Sequence, residues 1–261
     1  MKTNIRFFLL LFLVVSVSQP GYSQSKKRSF YEIKVYHIKS KDQEKEVDDF
    51  LKGAYLPALK REGIQNTGVF KPIGNDTLAD KRIYVFIPFK SAEQFAGLAD
   101  RLAKDSQFIQ NGKVYLEAKQ DNPPYQRMES IFLKAFSAMP KMEVPALKNE
   151  PGKRVYELRS YQSPTELIFQ NKVHMFNEGG EVDLFRRLGF NAVFYGSVLS
   201  GSQMPNLMYM TTFEDMKSRD EHWKAFGNDP HWKKISAMPF YKDNVSKIDV
   251  LFLQPTDYSG I

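Results

Sequence analysis

The sequence predicts an α+β fold made of two tandem copies of one βαββαβ unit. The copies are visible as a repeat, because residues 31–36 (YEIKVY) return as residues 156–161 (YELRSY), about 125 positions later. Residues 61–63 (REG) return as residues 187–189 (RLG) at nearly the same offset. A solenoid repeat has a period of roughly 20–50 residues, so an offset of this size indicates a duplicated domain. We therefore expect the copies to pack together as an intramolecular pseudo-dimer.

The second copy shows the signals of the unit in order. Residues 156–161 alternate between apolar and polar side chains, which predicts a strand. Ser163 and Glu166 have the spacing of a capping box, with a proline at the first helical position, so a helix is expected to begin there. This helix is interrupted at residues 179–180 (Gly-Gly) and ends before Gly189, which predicts a C-cap.

The rest of the unit follows the same logic. Strands are predicted over residues 190–195 and 207–213, then a helix from Glu214, a short helix capped by Asp229, and a closing strand over residues 248–253. This order is that of the ferredoxin-like split βαβ fold. The first copy is predicted to have strands at residues 30–38, 68–71, 82–89 and 129–136, helices at 41–61 and 92–102, and an insertion at 111–127.

The boundaries of the two copies follow from composition. Residues 137–153 contain three prolines and a glycine, which is typical of a linker. We therefore expect one ferredoxin-like domain over residues 24–136 and a second over residues 154–261. The predicted fold class is α+β, with the two domains packed as a pseudo-dimeric α/β barrel within one chain.

Residues 1–23 have the pattern of a secretory signal peptide. Lys2 and Arg6 precede an apolar run at residues 7–17, and the small residues Gly21 and Ser23 favour cleavage after Ser23. The run is too short to span a bilayer, which takes roughly 20 helical residues. We expect an exported protein, periplasmic or secreted, without a stable membrane anchor after cleavage.

Composition narrows the partners. The chain has 0 Cys, so the stability of an exported form must come from buried apolar surface rather than disulfides. Aromatic residues make up 14% of the chain, which favours well-filled cores or an aromatic-lined cavity. The formal net charge is +7, but basic and acidic residues are interleaved, so no nucleic-acid partner is expected. The tandem copies can pair with each other, which predicts a monomer with an internal pseudo-two-fold axis; a homodimer is the alternative.

The alternation in the first strand of each copy also predicts which side chains share a face. Tyr156 and Leu158 point one way, and Glu157, Arg159 and Tyr161 point the other. We expect the apolar set to pack under the helices and the Glu-Arg-Tyr set to face the space between the two sheets.

The second copy resembles the NIPSNAP family of the dimeric α/β-barrel superfamily. The resemblance rests on residues 156–161, 185–190 (FRRLGF), 204–210 (MPNLMYM) and 229–232 (DPHW), and the first copy is a divergent match. It implies the fold and the tandem arrangement without an agreed chemistry. Phe108 stands in the first copy where the second has Trp232, so a site that needs this indole is expected in the second copy.

Candidate site residues are drawn from the second copy. Glu157, Arg159 and Tyr161 could present a carboxylate, a cation and a phenol to a small ligand, or Glu157 and Arg159 could form only a structural ion pair. Tyr195 and Tyr209 lie on neighbouring predicted strands and could line the same space, although aromatic stripes are more often core.

Two further residues are candidates for proton transfer. His174 precedes the Gly-Gly break and Glu181 follows it, and a broken helix can direct such groups toward a cavity. The alternative is a tight helix contact that needs glycine. Trp223, Phe226 and Trp232 are interpreted as core, and the spacing of His222 and His231 does not favour a metal site. No cofactor is expected.

Three functions remain open. The leading hypothesis is a protein that binds a small apolar or aromatic molecule between or beside its sheets. The first alternative is a cofactor-independent isomerase or oxygenase-like enzyme, in which His174 or Glu181 moves protons while Arg159 holds the substrate. The second alternative is a structural or partner-binding module, which would be favoured if side chains fill the inter-sheet space. A deep pocket near Glu157, Arg159 and His174 would support the first two.

Overall fold

Eight antiparallel strands form one closed barrel in the computed structural model, which describes residues 27–261. The predicted signal peptide lies outside the described residues. The strands are β1 (Phe30–Ile38), β2 (Gly68–Pro72), β3 (Lys81–Phe89), β4 (Arg127–Ala135), β5 (Val155–Gln162), β6 (Phe194–Ser200), β7 (Asn206–Phe213) and β8 (Lys247–Pro255). Their order around the barrel is β1-β3-β2-β8-β5-β7-β6-β4.

The barrel contains two equivalent halves. The first half has the order β4-β1-β3-β2 and the second has the order β8-β5-β7-β6, so each half is a ferredoxin-like sheet. The edges of the halves pair with each other: β2 pairs with β8 through Phe70 and Pro255, and β4 pairs with β6 through Leu133 and Val198. The predicted fold class, two ferredoxin-like units forming a pseudo-dimeric α/β barrel, is confirmed.

Ten α-helices of the described residues cover the outside of the barrel. In the first half they are α1 (Lys41–Phe50), α2 (Leu56–Arg61), α3 (Ala92–Ala96), α4 (Leu98–Leu102), α5 (Ser106–Asn111) and α6 (Lys113–Leu116). A π-helical turn, Leu51–Tyr55, joins α1 to α2. In the second half they are α7 (Glu166–Asn177), α8 (Glu181–Arg187), α9 (Met216–Asn228) and α10 (Pro230–Ser236).

The predicted break and cap in the second half are present. Gly180, between α7 and α8, has a φ of +80°, a left-handed conformation that glycine adopts without strain. The Asp229 side chain accepts a hydrogen bond from the backbone N–H of His231 and so caps α10.

Two predicted boundaries were wrong. The N-cap of α7 is Thr165, whose hydroxyl accepts from the N–H of Ile168, and the Ser163 hydroxyl instead donates to the carbonyl of Asn244. The strand predicted at residues 190–195 begins only at Phe194, because Asn191 has a φ of +42° that no strand accommodates.

The predicted orientation of the two faces was also wrong. Tyr156 and Leu158 point into the barrel, where they pack with Tyr31 and Ile33 of β1. Glu157, Arg159 and Tyr161 lie on the outer face, under the helices. Along most of its length the interior of this barrel is packed with apolar side chains and offers a carboxylate or a guanidinium few partners, so it takes the apolar set. The helix-covered face offers such partners.

The two halves share an aromatic core inside the barrel. Phe194 of β6 is fully buried, and its ring centroid lies 5.0 Å from that of Phe86 and 5.3 Å from that of Tyr31, both in the first half. The same interior therefore stabilises both halves, and we expect them to unfold together.

Replacing Phe194 with alanine should lower the free energy of unfolding by about 3–5 kcal/mol, the usual cost of a large-to-small change in a core. Urea denaturation measures this cost, with Leu167→Ala, at an exposed position of α7, as a control expected within about 0.5 kcal/mol of the parent. Both tryptophans of the chain lie in the second half, so tryptophan emission and far-UV circular dichroism should give one coincident transition. Separate transitions would contradict a shared core.

Candidate functional site

A cavity of about 440 Å³ lies between the outer face of the second-half sheet and its helices. Volumes of roughly 300–1,000 Å³ are typical of small-molecule sites. The walls combine aromatic rings with a few charged groups, chiefly Arg159, Tyr161, Lys172, Glu181, Trp223 and Trp232. The cavity is formed by β5, α7, α8, α9 and α10, so it belongs to the second half alone.

Glu157 lies behind one wall of this cavity and holds the side chains of that wall in place. Its carboxylate is fully buried and accepts hydrogen bonds from Arg159 Nη1 at 3.0 Å, from Arg219 Nε at 2.8 Å and Nη2 at 3.1 Å, and from Trp223 Nε1 at 2.8 Å. Such a set of donors supports an ionised carboxylate away from water. Arg219 also donates to Asp220 Oδ1 at 2.9 Å, so Glu157 is the carboxylate partner that Arg159 shares with an arginine already paired elsewhere.

Arg159 has hydrogen-bond donors that its ion pair with Glu157 does not use. Its guanidinium lies over the Trp223 indole, 4.2 Å from the ring centroid, which holds the group in place. Nη1 is bonded to Glu157, but Nε is buried without a hydrogen-bond partner among the described residues, and no acceptor for Nη2 is found there. Nε and Nη2 form the side-on edge of the guanidinium, which matches the two oxygens of a carboxylate.

Lys172 and Glu181 form a second charged group in the wall. Their side chains are 5% and 2% exposed, and Lys172 Nζ lies 3.0 Å from Glu181 Oε2. The ammonium also lies 4.8 Å from the centroid of the Phe176 ring. Burial raises the pKa of Glu181, and the neighbouring Lys172 opposes this only in part. The pair therefore combines a fixed cation with a carboxyl group that binds its proton more tightly than an exposed one.

The helix break places Glu181 in this wall. The ring Nε2 of His231 lies 2.9 Å from the carbonyl oxygen of Gly179, so the protonated nitrogen can donate to it and hold the break against α10. A Cβ at Gly180 would lie 3.1 Å from the same nitrogen, and the residue has a positive φ. Only glycine fits here without strain, and α8 starts at the next residue.

The structure brings some of the predicted site residues together and separates others. Arg159, Tyr161 and Glu181 line the cavity, and Glu157 lies behind Arg159. The Tyr209 hydroxyl is bonded to that of Tyr161 at 2.9 Å but does not reach the cavity.

Tyr195 and His174 are placed differently from the rest. Tyr195 is 1% exposed and stacks on Tyr209, deeper in the core of the second half. His174 is exposed and does not line the cavity. Its Nδ1 lies 2.9 Å from the hydroxyl of Tyr241, which does line it, so His174 can act on the cavity only through Tyr241.

Four lining residues were missed or misinterpreted from the sequence. Trp223 and Trp232, predicted as core, do pack against the core of the second half, but they are half-buried and also form cavity walls. The sequence did contain a signal for these two residues, because they are the only 2 Trp of the chain and both lie in one copy. Lys172 was signalled by its place on the apolar side of α7, one turn before Met175 and Phe176. No signal pointed to Tyr241.

At the equivalent position of the first half, described side chains occupy the space beside the sheet, and a cavity of about 330 Å³ lined by Phe50 and Tyr115 lies next to them. Lys34 replaces Arg159 in the repeat, and its Nζ donates to the Tyr55 hydroxyl at 3.3 Å. Tyr115, from the inserted segment, stacks on Phe50 with ring centroids 3.7 Å apart. Within residues 27–261, no group of three or more His, Asp or Glu side chains is arranged to hold a metal ion in either half.

The protein has two ferredoxin-like halves that close one barrel, with helices outside and a cavity beneath them. These features define the dimeric α/β-barrel class of protein. Within this class, the family model NIPSNAP matches residues 156–260. The chain therefore carries a NIPSNAP domain, and this domain contains the whole cavity.

Solved structures of similar fold cover most of the chain. A proposed monooxygenase from Lactobacillus acidophilus NCFM is 12% identical over 87% of this chain and 94% of its own, with a TM-score of 0.55. A proposed monooxygenase from Fusobacterium nucleatum is 9% identical over 88% and 93%, also at 0.55. An anthrone oxidase-like protein is 10% identical over 89% and 93%, at 0.52. Identities this low establish the fold alone.

No protein of curated function matches the sequence significantly. Over the described residues, no helix combines the length and the apolar character that crossing a membrane requires.

Replacing Glu157 with alanine should destabilise the protein by about 3 kcal/mol, because two guanidinium groups lose their shared buried partner. The equivalent change in the first half, Glu32→Ala, is the matched control. Glu32 is also buried, but it accepts only from the Ser130 hydroxyl, with Lys34 Nζ at 3.9 Å, so about 1–2 kcal/mol is expected. Urea denaturation measures both, and an equal or reversed order would contradict the role assigned to Glu157.

Proposed function

We propose that the chain binds a small aromatic molecule that carries an acidic oxygen, in the cavity of the NIPSNAP domain. The observation that carries this proposal is the free edge of Arg159, held in an aromatic wall with no acceptor for Nε among the described residues. On the pattern of residues 1–23 we also propose that the protein is exported.

The unused donors of Arg159 support an anionic group on the ligand. Lys172 pairs with Glu181, and Arg219 pairs with both Glu157 and Asp220. Arg159 pairs with Glu157 through Nη1 alone, and it is the arginine of this set that lines the cavity. An oxyanion at its free edge would supply the missing hydrogen bonds.

The walls support an aromatic body for the ligand. Trp223 and Trp232 lie on helices α9 and α10, and Tyr161 and Tyr241 close the cavity from the sheet and from the segment after α10. Flat rings of this kind favour a flat apolar ligand over a flexible polar one. The volume of about 440 Å³ accommodates a molecule of two or three fused rings.

The test uses 2-naphthoate and its uncharged analogue 2-naphthalenemethanol, titrated by calorimetry and by tryptophan emission. Both tryptophans of the chain line the cavity, so emission should change on binding. Replacing Arg159 with glutamine should weaken 2-naphthoate binding about ten- to hundredfold, the equivalent of a charge-assisted hydrogen-bond pair, and leave the alcohol nearly unaffected.

Arg219→Gln is the matched control for this experiment. Arg219 binds the same carboxylate of Glu157 but does not line the cavity, so its loss should reduce stability without removing the preference for the anion. Equal affinity of the parent protein for the acid and the alcohol, or an equal effect of both arginine variants, would overturn the proposal.

A second candidate function is a cofactor-independent oxygenase, and Glu181 favours it. A buried carboxyl group with a raised pKa, placed in a cavity wall, is the usual form of a general base that works near neutral pH. In such a reaction Glu181 would remove the proton from an activated C–H bond, and Arg159 would stabilise the developing oxyanion. Isomerase chemistry would need the same two groups.

Anthrone is a suitable probe for this second function. Glu181 would take its acidic C–H proton, the enolate would transfer electrons to O₂, and loss of water would give anthraquinone, so one anthrone and one O₂ yield one anthraquinone and one water. Oxygen uptake above the uncatalysed rate should increase with pH as Glu181 ionises.

Glu181→Gln should lower the rate of anthrone oxidation by about 10²–10⁴-fold, the range of general-base catalysis. Asp183→Asn, an exposed carboxylate on the same helix, is the control and should leave the rate unchanged. An unaltered rate in Glu181→Gln, or no uptake above the uncatalysed rate in the parent, would leave ligand binding as the better account.

A further inference from the structure

The inside of the barrel holds a second cavity, of about 420 Å³, that the proposed function does not use. It lies on the opposite face of the sheet from the NIPSNAP-domain cavity. On β5, Leu158 and Ser160 point into it, while Arg159 and Tyr161 point to the other cavity. Both halves contribute to it, through Val35 on β1 among others.

This second cavity is open at one end of the barrel only. At the end where β4 finishes and β5 begins, Met142 and Leu147 of the connecting segment and Ile261 pack onto the interior core. At the other end, the hairpin between β6 and β7 borders the cavity through Ser202 and Gln203. We call this open end the barrel mouth.

The side chains that point into the barrel change from apolar to polar at the barrel mouth. Deeper in the barrel they are apolar, for example Val35, Leu158 and Met208. At the mouth the inward positions are polar, namely Arg82, Glu129, Ser160, Asn206 and Asp249. The opposite end, by contrast, is closed by apolar residues. The mouth instead combines an apolar floor with convergent polar groups, as ligand sites do.

The charged side chains of the mouth have partners within the protein. Arg82 lies 2.5 Å from Asp80, and Lys247 lies 3.0 Å from Asp249. Glu129 Oε1 lies 2.7 Å from Nε2 of His37, whose Nδ1 lies 2.9 Å from Asp80 Oδ1. Ser160 and Asn206, bonded to each other at 3.0 Å, supply neutral hydrogen-bonding groups.

We propose that the barrel mouth is a second binding site, for an uncharged and mostly apolar molecule with one or two hydrogen-bonding groups. The apolar floor buries its body, and the hydroxyl and amide groups of Ser160 and Asn206 orient its polar end. A charged ligand would have to displace an existing ion pair, so neutral molecules are selected. The sheet separates this site from the Arg159 cavity, and the two bind independently.

The test uses N-phenyl-1-naphthylamine, an uncharged dye whose emission increases in apolar surroundings. Ile131 is half-buried and projects into the mouth from β4, which lies across the barrel from Arg159. Ile131→Trp should fill the mouth and weaken dye binding by at least about tenfold. Met128→Trp is the matched control, because Met128 is on the same strand and is 42% exposed on the outer side.

Independence of the two sites is measured with 2-naphthoate in the same protein. Excess 2-naphthoate should leave the dye bound, Arg159→Gln should not change dye affinity, and Ile131→Trp should not change 2-naphthoate affinity. These three measurements distinguish a failure of the barrel-mouth site from a failure of the Arg159 site.

Two results would overturn the proposal. One is unchanged dye affinity in an Ile131→Trp protein with the melting behaviour of the parent, and the other is displacement of the dye by 2-naphthoate. If Ile131→Trp does not fold, Ser202→Trp on the exposed hairpin takes its place with the same expected loss.

Discussion

Closure of the barrel is the constraint on which the rest of the structure depends. Each ferredoxin-like sheet has two edges, and an unpaired edge in water invites association with another chain. Here β2 pairs with β8 and β4 pairs with β6, so each half completes the other. Closure fixes the two faces of every strand as interior or helix-covered. It thereby decides where a ligand can bind.

The two halves differ in the partners that surround an equivalent buried glutamate. Glu157 and Glu32 are equivalent in the repeat and both are buried, but only Glu157 is held by two arginines and an indole. Burying a carboxylate is costly unless charged donors surround it. The second half satisfies this need with Arg159 and Arg219, and Arg159 Nε remains buried without a hydrogen-bond partner among the described residues. In the first half Lys34 takes the place of Arg159 and is bonded to Tyr55, so the two halves differ in the charged group that faces this space.

The repeat and the order of strand and helix signals were sufficient to predict the fold, because both depend on local pattern. The faces could not be predicted: alternation shows that Tyr156 and Glu157 point to opposite sides, but not which side is the barrel interior. The same limit applied to the prediction of the site residues. Arg159, Tyr161 and Glu181 were predicted from residue type and spacing, and they line the cavity. Tyr241 was missed and His174 preferred, because the segment after α10 reaches α7 only through the tertiary fold.

A crystal structure of the protein with 4-bromobenzoate, located by the anomalous signal of bromine, tests the central proposal most directly. A carboxylate oxygen within about 3 Å of Arg159 Nε, with the ring between the two indoles, is the expected result. Binding of the compound only elsewhere, with the edge of Arg159 engaged by a protein acceptor, would contradict the account.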